Sequence, residues 1–112
     1  MMTTSADDVE ITYEGEALTF GGFASADFFI ERAGHPGVEV NLALASDAQL
    51  LFEQPGAALE AASIQGILRA LAGRVYRTYI DAGREPPAIL MLRAADIDAT
   101  VVDAIRSEAA LP

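Results

Sequence analysis

Between Val38 and Leu44 the apolar positions Val38, Val40, Leu42 and Leu44 alternate with Glu39, Asn41 and Ala43, a period of two that predicts a strand with one buried face. Upstream, VEITY and EALTF flank Glu14-Gly15, which predicts a hairpin with a two-residue turn in which Ile11 faces Leu18 and Val9 faces Phe20. After Gly21-Gly22, Ser25 as cap and Gly34 as stop predict a short helix over 26–33, anchored on the sheet by Phe28 and Phe29. Ser46 with Gln49 reads as a capping box for a second short helix through Phe52, halted by Pro55-Gly56.

From 57 to 82 the apolar spacing changes to that of a helix. Ile64, Leu68, Leu71, Val75 and Tyr79 fall within a stripe about 80° wide, the pattern of a helix laid on a sheet. Gly83 is placed to close this helix, and Pro86-Pro87 prevents it from resuming. Ala88 to Leu92 is continuously apolar and predicts an internal strand covered on both faces. A last helix begins at Asp96 or Asp98 and runs to Ala109, with Ile97, Val101, Ile105 and Ala109 facing inward. The predicted order is β-β-α-β-α-β-α: an α+β fold with a roughly four-stranded sheet and helices mainly over one face. Residues 1–8 are expected to be a flexible N-terminus and 9–112 a single domain, the size at which one core suffices.

Charge divides the chain unevenly. Residues 1–68 carry 1 Arg against 11 acids, residues 69–93 carry 5 against 2, and residues 94–112 carry 1 against 4. The net charge of −10 argues against sequence-independent binding to nucleic acid and against anionic membrane surfaces, both of which reward clustered positive charge. No apolar run reaches the length of a membrane span, and the absence of cysteine suits a reducing compartment, so a cytoplasmic protein is expected. No lysine occurs; with abundant Ala and Gly this is the usage of GC-rich coding rather than a choice of guanidinium at any one site.

The basic segment is the nearest thing to a functional lead. On the face of the long helix opposite its apolar stripe, Ala62, Gly66, Ala70 and Gly73 cluster, flanked by Arg69 and Arg77 with Arg74 at the edge. Two glycines inside a helix cost about 1 kcal/mol each relative to alanine. Three readings follow. The face is solvated, with arginines pairing to Glu60 or Asp81; or it is a ridge on which a partner or a second copy docks; or Arg74, Arg77 and Arg84 form an anion pocket, with Tyr76 and Tyr79 available to stack a ligand.

Catalytic signals are lacking. His35, the single histidine, sits in a His-Pro-Gly turn with no metal partners nearby in sequence, and Asp96-x-Asp98 is explained by helix capping. The serines have no nucleophile-elbow context, and Gly21-Gly22 lacks the lysine of a phosphate loop. Neither a cofactor nor an enzymatic activity is expected.

GILRALAGRVYRTYIDAG, preceded by VEVNLAL and the Phe52-x-x-Pro55 step and followed by IRSEAALP, resembles a family of short proteobacterial domains of unknown function, over residues 26–112. That resemblance implies a small α+β domain and no activity. The family's long helix carries an Asp and a His near the positions of Leu71 and Val75, so a role for those polar groups does not transfer. The function expected is a protein-interaction module, with a second copy among its candidate partners, using Gly66, Arg69, Ala70, Gly73, Arg74 and Arg77. The alternatives are an acidic inhibitor or immunity-type protein covering a basic partner, and a small-molecule or anion binder using Arg74, Arg77 and Arg84.

Overall fold

The structure, a computed structural model, describes residues 9–20, 23–53 and 61–108, without the side chains of residues 15–20 and of residue 61. The elements are β1 (Val9–Phe20), β2 (Phe23–Arg32), β3 (Val38–Leu44), α1 (Ser46–Leu50), α2 (Ala61–Asp81), β4 (Ile89–Leu92), a 3-10 turn (Ala94–Asp96) and α3 (Ala99–Glu108). Four strands form one mixed sheet in the order β1-β2-β3-β4, and the helices lie against one face of it, which is the α+β class expected. The expected flexible N-terminus, residues 1–8, lies outside the described residues.

Two predicted elements differ. The hairpin at Glu14-Gly15 is instead a single strand, β1, whose partner is β2: Ile11 lies opposite Ile30, Val9 opposite Arg32 and Phe20 opposite Phe23. Between the pairs Glu14↔Asp27 and Leu18↔Ser25 the register shifts, and β1 carries two more residues than β2. Gly15 falls in that irregularity, where a flexible residue serves a bulge as well as a turn. The predicted helix over 26–33 is β2. Its Ala24, Ala26, Phe28 and Ile30 are buried while Asp27 and Glu31 are exposed, a period of two that Phe-Phe-Ile favours and that Ser25 and Gly34 disguised as helix punctuation. Gly34 has φ 79° in the turn from β2 to β3, not at a helix end. Gly37 is required for a different reason: a Cβ there would sit 2.3 Å from Cζ of Phe29, whose ring covers it.

β3 is as its alternation predicts, with Val40, Leu42 and Leu44 buried. At α1 the capping box is absent. Ala45 is the N-cap, without a side-chain bond, and Ser46 is already helical; Gln49 instead donates from Nε2 to the carbonyl of Leu44 at 3.1 Å. The chain leaves α1 through buried Phe52, whose carbonyl accepts a 2.6 Å hydrogen bond from Nη1 of Arg106 on α3. A cation on an unsatisfied carbonyl just past a helix C-terminus is favourable both as a hydrogen bond and as a dipole contact.

α2 runs unbroken through Gly66 and Gly73, and the predicted first residues 57–60 lie outside the described ones. Gly83 ends it as predicted: φ is 73°, the Gly83 N–H donates to Ile80 and the Arg84 N–H to Tyr79, the double bond of a Schellman cap. The buried stripe is rotated from the predicted one. Ile64, Ile67, Leu68, Leu71, Ala72 and Tyr76 are buried, while Val75 and Tyr79 are only half-buried. Tyr76 reaches the sheet at Phe28, ring centroids 6.5 Å apart, and Phe28 meets Tyr13 edge-on at 5.6 Å. In α3, Ile105 is buried and Val101 packs on the core, as is Ile97 just before it; Ala109 lies outside the described residues.

β4 pairs in parallel with β3, so α1 and α2 form the crossover between them. Among the described residues it is an edge strand rather than the internal one expected from its apolar run, and Ile89 and Met91 are 76% and 38% exposed.

Candidate interaction surface

The arginines of the basic segment do not form one patch: Arg69 and Arg77 share a hollow with Gly73 between α2 and β1, while Arg74 and Arg84 turn to other neighbours. Arg69 lies over the ring of Tyr13 on β1, 4.6 Å from its centroid, a cation–π contact within the chain. Arg74 pairs with Glu108 on α3. Arg77 joins Ile11, Tyr13, Phe28, Arg69 and Gly73 around a hollow of about 200 Å³ between α2 and β1. Arg84, beyond the helix, stacks on Tyr79 at 4.9 Å. Glu60 lies outside the described residues, and among the described ones Asp81 forms no ion pair; Arg74 finds its carboxylate on α3.

The small residues of the predicted ridge divide too. Ala70 packs against the core from its margin, Gly66 and Gly73 are half-buried, and Ala62 is exposed. A Cβ added at Gly73 meets no atom within 4 Å. Gly73→Ala is therefore expected to raise stability by about 0.5–1 kcal/mol, read as a higher urea midpoint, since alanine restricts the unfolded chain and fits the helix. A lower midpoint would mean that the helix face is more tightly packed than this.

Of the residues expected to contact a ligand, Tyr79 and Arg84 come together and Tyr76 does not. Tyr76 is buried in the core, and burial first, with the neighbouring Tyr79 second, pushes its hydroxyl well above the ordinary tyrosine range. Tyr79 and Arg84 line an open cleft of about 560 Å³ with Val75, Thr78, Leu90, Met91, Leu92 and Asp96. Its walls are the C-terminal end of the apolar stripe of α2 and the inward side chains of β4. Residues that by pattern belong to a core thus border an opening, beside a strand that has no further neighbour among the described residues. The three-residue spacing of Tyr76 and Tyr79 was a signal for one core and one cleft tyrosine, but the choice between them depends on where the sheet ends.

A second exposed surface is the sheet face without helices. The strand register sets Glu10 opposite Glu31 and Glu14 opposite Asp27, all four exposed, with exposed Glu39 opposite Phe29 on the next strand. Asn41 relieves part of this by donating to Asp27 at 2.9 Å. Like charges directly opposite each other destabilise a sheet by a few tenths of a kcal/mol to about 1 per pair.

No helix among the described residues is long and apolar enough to cross a membrane. No family model, curated protein or solved structure matches the chain.

Proposed function

We propose that the protein is an interaction module that accepts an extended segment along β4, rather than through the Gly/Ala/Arg face of α2. The observation that carries this reading is the cleft between α2 and the edge of β4 that has no neighbour among the described residues, walled by Val75, Tyr79, Leu90 and Leu92. An added strand would pair with the open main chain of β4, and its inward side chains would fill the cleft as a fifth strand fills a core. The ridge on α2 is less suited. Arg69 and Arg74 are engaged within the chain, over Tyr13 and with Glu108.

β1, the other edge, carries exposed Glu10 and Glu14 and a register irregularity, the devices by which edge strands avoid stray pairing. β4 has no charged side chain. Peptides selected from a display library on sparsely immobilised protein are expected to be extended and apolar at alternate positions, and to lose binding to a Met91→Pro variant. Selected peptides that bind wild type and Met91→Pro equally would overturn the reading.

The like-charge pairs Glu10/Glu31 and Glu14/Asp27 favour a second reading, in which the acidic sheet face covers a basic partner. The same selection separates the two. Basic peptides indifferent to Met91→Pro and lost in a Glu10→Gln, Glu31→Gln variant would place the contact on that face.

A further inference from the structure

We infer that the segment taken up by β4 is the β4 of a second copy of this chain, antiparallel, with a twofold axis passing at Leu90. This rests on the reading of β4 as a docking edge and adds the identity of the occupant.

The main-chain geometry fixes which residues face outward. The Asn41 N–H donates to the Ala88 carbonyl at 2.8 Å and the Ala45 N–H to the Leu92 carbonyl at 2.9 Å, so the even-numbered residues of β4 point their backbone groups at β3. Those of Ile89 and Met91 point to the open edge. An antiparallel neighbour must set outward-facing residues against outward-facing residues. With Leu90 on the axis, Ile89 of each copy lies opposite Met91 of the other, and each such pair exchanges two N–H···O bonds.

That register also matches the side chains. Ile89 and Met91, the exposed apolar residues of the strand, become cross-strand neighbours on the same face and cover one another. Along the cleft, Arg84 stands at the end where the chain enters β4 and Asp96 at the end where it leaves. The antiparallel copy reverses those ends, and the same register places Arg84 of one copy toward Asp96 of the other, twice. Each end of the edge carries both signs, Arg84 with Glu85 where the chain enters β4 and Arg93 with Asp96 where it leaves, and a twofold axis sets each end against the other. Elsewhere, a chain of net charge −10 repels its copy, whereas the charges that flank β4, Arg84, Glu85, Arg93 and Asp96, sum to zero. The acidic β1 edge offers a second copy no comparable contact.

The test is the mass in solution by light scattering across a wide concentration range. Wild type is expected to double from 11.8 kDa as concentration rises. Met91→Pro removes an outward N–H that β3 does not use, and an edge strand tolerates proline, so the variant should fold and remain at the single mass. Arg84→Glu is expected to weaken association about tenfold by facing Asp96 with a like charge, and Asp96→Asn, whose side-chain oxygen still accepts the Arg93 N–H, to weaken it in the same direction. Dimerisation that persists in Met91→Pro, or that both Arg84→Glu and Asp96→Asn leave unchanged, overturns the register. A wild type that stays at 11.8 kDa overturns the second copy as occupant; if selected peptides still bind β4, the docking edge stands and its partner is another protein.

Discussion

Phe28→Ala is expected to cost about 3–5 kcal/mol, and Phe29→Ala, one residue on, about 1–2 kcal/mol, although the two rings are adjacent in the chain and chemically identical. Phe28 is 1% exposed at the centre of the sheet's covered face, between the rings of Tyr13 and Tyr76. Its removal leaves a cavity that β2, fixed by ladders on both sides, cannot close. Phe29 points to the helix-free face and shields Gly37, where solvent can replace it. Domains of this size have stabilities of roughly 5–15 kcal/mol, so the first variant approaches loss of the fold while the second does not. Urea unfolding of the three proteins measures the contrast. Comparable losses would mean that residues 23–32 present both rings to one environment, as a helix would, and would contradict the strand.

The same pair shows why the fold was only partly legible in the sequence. FASADFFIER alternates as a strand does, yet Ser25 and Gly34 bracket it with helix punctuation. The local signals conflict, and pairing with β1 and β3 decides between them. At β3 and the C-terminus of α2 there is no conflict: alternation, periodicity and the Gly83 cap agree, and the structure follows them. Edge position is a property of the whole sheet. Nothing in Ile89 to Leu92 says whether a strand lies beyond it, so an apolar run that reads as internal stands at the margin.

The candidate surface was legible to a similar degree. The gathering of arginines between 69 and 93 is plain in the sequence, but their partners come from distant segments: Tyr13 for Arg69 and Glu108 for Arg74. A charge count cannot anticipate such pairings, because 100° per residue sends neighbouring side chains to different elements. Tyr79 and Arg84 were recognisable as a pair because a helix end brings them together locally. The cleft they border depends on where β4 stops, which the tertiary fold alone determines.

Above about pH 10 the protein is expected to lose stability through Tyr76, with a slope of about 1.4 kcal/mol per pH unit contributed by this one group. Tyr76 is fully buried, and among the described residues no side chain or backbone group of the protein bonds its hydroxyl. Ionisation would leave a charge in an apolar core and beside Tyr79, so the folded state holds this proton well above the ordinary tyrosine range. The unfolded chain releases it near pH 10, the value of an unperturbed tyrosine. Between those limits the folded state binds more protons than the unfolded, and stability must fall as pH rises; below pH 10 both states are protonated and the contribution is flat. Tyr76→Phe keeps the ring against Phe28 and removes the proton, so its urea midpoint should exceed that of wild type by a margin that widens from pH 10 to pH 11, whereas Tyr79→Phe should leave most of the wild-type slope in place. Parallel curves for wild type and Tyr76→Phe would mean that the hydroxyl titrates freely in the folded state, and that the aromatic centre of the core is open to solvent.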